Sequence, residues 1–219
     1  RDVASAKVDR FAEKNKDVEY VLRYFKNCMK DLTRHQLIET ARALFVANGY
    51  DETTMIDIAE KAGKGRRTLY YYFPSKNMLL RAVVETEINH IIDILEAIVN
   101  KDIPAPEKII EFVVSRLNNV RHSVFRNGSL RSDFSRYMRT IDSIRAKGEN
   151  REIALIERIL QQGVHEGQFR IENLHLMAQL IHYTTKGLEN PYIRGELPGS
   201  ADHVQLERSA RKIILGALR

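Results

Sequence analysis

The chain is poor in residues that staple or interrupt a fold. It has one cysteine, Cys28, in 219 residues, so it can form neither an internal disulfide nor a cysteine-based zinc site. A lone thiol suits a reducing compartment, and the cytoplasm is the expected location. No window approaches the ~18 apolar residues of a membrane span. The opening RDVASAKVDR is polar and has no apolar leader, so no membrane partner is expected. No proline precedes Pro74. No strict two-residue alternation is flanked by hairpin signals, which argues against a sheet-based fold. Catalytic signatures are missing as well. There is no glycine-rich phosphate loop, no His-Glu-x-x-His pair and no nucleophile elbow. The seven histidines are scattered, none four residues from another. An enzyme, a metal site and a cofactor are therefore not expected.

What the chain does have is helical periodicity nearly throughout. Leu37, Ala41, Leu44 and Phe45 make a first stripe, stopped by Asn48-Gly49. Further apolar stripes predict helices over 77–99, 105–122, 129–141, 150–166, 173–189 and 200–218, with Pro191 closing the fifth of these. The connections are short, as in helical bundles. The expected fold is all-α: an N-terminal three-helix unit carrying a helix-turn-helix, joined to a larger helical domain. Residues 1–32 read as an extension, helical in part, 33–81 as the three-helix unit and 82–219 as the larger domain.

The net charge is +6, and its distribution is uneven. Residues 33–81 hold 8 basic and 5 acidic groups, while 82–219 hold 19 and 18. Residues 61–76 hold five basic groups and no acid. A basic run is often only a solvated face, so its surroundings decide. Here Thr54 and Asp57 form a capping-box pattern that opens a short helix. Gly63 supplies the freedom for a tight turn. A second short helix follows from about Arg66 to Phe73, with Leu69 and Phe73 inward. Arg66, Arg67, Thr68, Tyr70, Tyr71 and Tyr72 point outward, although a packing role stays open for Tyr71. Ser75 can cap the next helix. Arginine can take guanine bidentately and threonine can offer a hydroxyl or methyl. Tyrosine and lysine fix the backbone register. The segment therefore suits the major groove of double-stranded DNA.

The run ALFVANGYDETTMIDIAEKAG followed by TLYYYFPSKNMLLRAV resembles the DNA-binding domain of the tetracycline-repressor (TetR) family. GVHEGQFR at 163–170 echoes a late turn of the same family. The resemblance implies that Thr53 and Thr54 begin a positioning helix and face a phosphate. It puts Arg66, Arg67 and Thr68 on the recognition helix, with Tyr70 and Tyr72 on backbone or bases. It gives Lys76 a phosphate contact. Lys64 and Gly65 depart from the family, which often has an apolar residue and a serine there, and Arg67 replaces a small residue or proline. Operator sequence therefore cannot be copied from a relative.

The resemblance also implies a homodimer on a palindromic operator, with 82–219 binding a small effector and supplying the interface. Met177, Leu180, Ile181, Ile213, Ile214 and Leu218 are candidates for the interface, against a place in the protomer's own core. His90, Arg116, His122, Tyr137, Arg139, His182 and Tyr183 are candidates for the ligand pocket, each against an ordinary surface or core role. The apolar content favours a lipophilic effector, while the Arg and His side chains leave room for an anionic headgroup. The expected function is a repressor that leaves its operator when the effector binds. The alternative, a helical scaffold without DNA binding, is opposed by the intact basic face.

Overall fold

A computed structural model describes residues 28–126, 138–197 and 203–218. Most of the 1–32 extension, the greater part of the helix expected over 129–141, and the side chains of Tyr137 and Arg139 lie outside the described residues. The first helix, α1, spans 28–48. It is followed by α2 (Met55–Lys61), α3 (Arg66–Tyr72), α4 (Lys76–Val99), α5 (Ala105–Arg126), α6 (Met138–His165), α7 (Leu174–Ile193) and α8 (His203–Ala217). No strand occurs among the described residues, and no helix there is long and apolar enough to cross a membrane.

Local chemistry sets the starts and stops of the early helices. Thr54 caps α2 reciprocally: the Asp57 N–H donates to Thr54 Oγ1 at 3.2 Å, and the Thr54 N–H donates to Asp57 Oδ2 at 2.8 Å. These bonds hold the Asp57 carboxyl below its ordinary pKa. Gly63 turns the chain with φ of +63°, a value only glycine adopts freely. The Met78 N–H donates to Ser75 Oγ at 3.2 Å and opens α4. Residues 142–149, expected to separate two helices, are helical within α6; they show no apolar periodicity because Ser143, Ala146 and Lys147 before the Ile153 stripe are exposed. Pro191 does not end α7, which continues to Ile193. Its missing N–H costs the helix the bond to the carbonyl four residues earlier, close to the helix end, and the chain stays helical for two more residues. There Tyr192 is buried and its hydroxyl donates to Asn118 Oδ1 at 2.5 Å.

Two apolar clusters result. One gathers Leu37, Ala41, Phe45, Ile58, Leu69 and Phe73 around the first half of α4. The other gathers α5, α6 and α7 around its second half, through Ile92, Leu95, Ile109, Phe112, Ile156 and Leu160. Ile88 packs against both.

The α6–α7 turn closes by N–H groups of Gln168 and Phe169 donating to the Gly163 carbonyl at 2.8 and 3.0 Å. This folds the buried Phe169 ring over Gly163, where a Cβ would lie 2.1 Å from a ring carbon. Gly163→Ala must therefore push an aromatic ring out of a packed core. A loss of about 1–3 kcal/mol is expected in urea denaturation, whereas a change below ~0.5 kcal/mol would show the ring to be freely displaceable.

Candidate functional site

The helix-turn-helix presents a basic face held from behind. Leu69 and Phe73 are buried, as are Ile58, Ala59 and Ala62 of the preceding turn. The Gln36 amide donates to the Ala62 carbonyl at 3.0 Å, tying the turn to α1. Arg66, Arg67 and Gly65 are exposed, and Lys64 and Thr68 are half-buried. Among the described residues, Lys64, Arg66 and Arg67 make no ion pair. Tyr71 is 69 % exposed and Tyr70 48 %. The packing role falls instead on Tyr72, which is half-buried against the core and meets the Tyr71 ring edge-on at 5.2 Å.

The structure gives partners within the protein to the side chains of Thr53, Thr54 and Lys76, the three residues for which the family resemblance implied phosphate contacts. Thr53 is fully buried, and its hydroxyl donates to the Gly49 carbonyl at 2.8 Å, so it fixes the turn from inside. Thr54 is exposed; its hydroxyl oxygen accepts from the Asp57 N–H in the α2 cap, which leaves the hydroxyl proton able to donate outward. The Lys76 ammonium donates to the carbonyls of Tyr50, Asp51 and Thr53 at 2.8, 3.2 and 2.9 Å. It also lies 4.4 Å from the Tyr50 ring centroid. All three of its protons are thus committed within the protein, and its contribution is to staple the start of α4 to the turn before α2.

The larger half of the chain holds a cavity of about 300 Å³ between α4, α5, α6 and α7. Leu80, Val83, Val84, Ile88 and Ile91 make one wall; Val120 and Ile193 add to it. The facing wall is charged: Arg116, Arg145, Glu149, Glu152, Lys186 and Glu189. Arg116 is buried and bridges two carboxylates, its Nε 2.5 Å from Glu152 Oε2 and its Nη1 on Glu189. Burial opposes the charge on Arg116, but the two glutamates outweigh it and raise its pKa. Burial likewise pushes Glu152 upward, but His182 and Arg116 together hold it below its ordinary value. His182 is fully buried with Nδ1 3.2 Å from Glu152 Oε2, close but not aligned for a hydrogen bond. Lys186 pairs with Glu149. Glu87 on the same lining accepts from Ser123 Oγ at 2.9 Å and lies 3.9 Å from Arg42 Nε of α1.

Of the pocket candidates, Arg116 lines this cavity and His182 lies against its Glu152. His90 and Tyr183 are exposed and take no part in its lining. His122 is exposed and lines a separate groove between α5 and α8. Glu149, Glu152, Lys186 and Glu189 were missed. The available signal was Glu152 lying four residues before the buried Ile156, a charge on an apolar stripe.

The interface candidates also divide. Leu180 and Ile213 are 53 % and 70 % exposed. Met177 and Ile214 are half-buried against the core. Ile181 and Leu218 belong to the protomer's own core, and the Leu218 carbonyl accepts from the Arg170 N–H at 3.0 Å. The exposed large apolar residues are Leu176, Leu180, Tyr183 and Leu188 on α7 and Val204 and Ile213 on α8.

Residues 37–83 match the family described as bacterial regulatory proteins, tetR family. The HTH-type transcriptional repressor KstR2 of Mycolicibacterium smegmatis is 25 % identical over 192 residues, covering 84 % of this chain and 90 % of its own. The uncharacterized HTH-type transcriptional regulator YfiR of Bacillus subtilis is 33 % identical over 60 residues, 27 % of this chain and 29 % of that one. That match takes in less than a third of YfiR. The crystal structure of a transcriptional regulator from Cytophaga hutchinsonii superposes with a TM-score of 0.63 at 26 % identity, covering 83 % of this chain and 96 % of that one.

The Lys76 staple makes a distinguishing prediction. Lys76→Met strands three carbonyls and is expected to cost about 2 kcal/mol of stability in chemical denaturation. The salt dependence of DNA binding should keep its slope, because no phosphate contact is lost. A shallower slope with unchanged stability would return Lys76 to the phosphate backbone.

Proposed function

We propose that this chain is a transcriptional regulator of the tetR family, a dimeric repressor that releases a palindromic operator when a small molecule enters its cavity; the match of residues 37–83 to that family supports the reading. The observation that carries this reading is the pair Arg66 and Arg67, exposed at the start of α3 with no ion pair among the described residues, on a helix backed by the buried Leu69 and Phe73. Guanidinium groups left uncommitted on such a helix are suited to guanine edges in the major groove. Lys64 and the hydroxyls of Tyr70 and Tyr71 flank them and suit phosphates.

Dimerisation is assigned to the exposed apolar face of α7 and α8. A twofold pairing there would set two recognition helices about one DNA turn apart, ~34 Å, on a palindrome. The cavity supports the effector reading: it is largely apolar on its α4 side, which suits a lipophilic body. Leu80, Val83 and Val84 line it while also belonging to the core that holds α3. Glu87 adds a polar link to α1 through Arg42. A ligand that favours one disposition of α4 changes operator affinity by its differential affinity alone, and about 1–3 kcal/mol suffices for a 5–150-fold effect. A protein that acts on bacterial DNA would work in the cytoplasm, the compartment this reading implies.

Two measurements test the reading. Fluorescence anisotropy on duplex from the protein's own upstream region should give an affinity that falls steeply with salt. Arg66→Ala or Arg67→Ala should cost on the order of 1–3 kcal/mol at particular base pairs. Equal losses on random duplex would remove the base-reading role. Separately, Leu180→Glu with Ile213→Glu should give a folded monomer by analytical ultracentrifugation at micromolar concentration. An intact dimer in that double variant would move the interface elsewhere.

A further inference from the structure

The charges around the cavity say more about its occupant. Arg116 is buried between Glu152 and Glu189, so one guanidinium serves two carboxylates and the cluster keeps one negative charge in excess. His182 beneath it sits with Nδ1 3.2 Å from Glu152 Oε2, against Glu152 and away from Glu189, which keeps only its share of Arg116. The other cations of this wall are committed too: Lys186 pairs with Glu149, and Arg145 is itself engaged. An anionic headgroup would have to displace a carboxylate from a buried guanidinium and leave that carboxylate unpaired. A cation meets the opposite situation, with Glu189 only part-compensated and open to the cavity. The facing α4 wall is apolar.

We infer that the cavity takes an organic cation, a positively charged nitrogen on an apolar body, with the nitrogen beside Glu189 and Glu152. At about 300 Å³ the space lies at the small end of ligand pockets. The inference rests on the cavity being the effector site.

Calorimetry on the full chain with three probes of one chain length tests it: decyltrimethylammonium, decan-1-ol and decanoate, all kept below micelle concentration. The cation should bind about tenfold or more tighter than the alcohol, with decanoate weakest. Glu189→Gln leaves Arg116 paired with Glu152, so the fold is retained. That variant should erase the advantage of the cation while leaving the alcohol unchanged. Val120→Trp, which fills the cavity, should abolish binding of every probe. Decanoate binding as tightly as the cation, or equal affinity for all three, would overturn the charge assignment while leaving a ligand cavity in place. Binding that survives Val120→Trp, or no binding by any probe, would remove the cavity reading and the inference with it.

Discussion

One helix has to serve two cores, and the rest of the chain is arranged around that constraint. The α4 helix has 24 residues, about 36 Å at 1.5 Å per residue. Leu79, Leu80, Ala82, Val83 and Val84 close the core behind the helix-turn-helix, and Ile92, Leu95, Ile98 and Val99 sit in the core of the larger half. Its first half therefore buries more than half its circumference, leaving Met78, Arg81 and Glu85 exposed, and its second half buries a narrower stripe. Neither core is complete without it. Its start is fixed correspondingly hard: Ser75 caps it, Lys76 is bonded to three carbonyls of the 50–53 turn, and Leu79 is buried one turn on. A shift of α4 thus carries the α2 turn with it.

The charges are divided by use. Arg42, Lys76, Arg116 and Arg211 are all bound to partners within the fold, whereas among the described residues Lys64, Arg66 and Arg67 make no ion pair. The exposed Arg211–Glu107 pair tethers α8 to α5 and lowers the Glu107 pKa by its hydrogen bond, but exposed pairs add little stability. The buried pair carries another lesson. Desolvating Arg116 and Glu152 costs about as much as their attraction returns, and apolar replacements of such pairs are often neutral or stabilising. Stability alone is thus a weak reason for a charged wall around Arg116, and its position on a cavity supplies a stronger one.

The sequence was most informative where chemistry is local. The Thr54–Asp57 box, the Gly63 turn, the inward Leu69 and Phe73 and the Ser75 cap depend on residues within a few positions of one another, and each could be read as spacing. Roles that depend on distant partners could not. Lys76 looks like any surface lysine until the 50–53 carbonyls, 23–26 residues earlier, converge on it. Thr53 was given a phosphate contact by the family resemblance, yet its hydroxyl is buried against the Gly49 and Leu44 carbonyls. The cavity wall was the hardest part. Helical periodicity separates inward from outward but does not say which helices face each other. His90 and Tyr183 accordingly attracted attention that belonged to Glu149, Glu152 and Glu189.

That shared helix also explains why the cavity and the basic face need no long relay between them. Leu80, Val83 and Val84 line the cavity on one side and close the helix-turn-helix core on the other. Leu69 and Phe73, which hold α3, belong to that same core. Packed interiors are dense and resist compression, so atoms introduced against Leu80, Val83 and Val84 cannot be absorbed by empty space behind them. The displacement must appear as a movement of α4, of α3, or of both. The Arg42–Glu87 contact adds a second link to the same unit from the polar side, at a separation of 3.9 Å that a small tilt of α4 would lengthen or close. In a dimer, whatever movement one protomer makes is repeated by the twofold, so the separation of two α3 helices changes by the sum of both. Operator DNA, whose half-sites have a fixed spacing, is the partner best able to sense that sum.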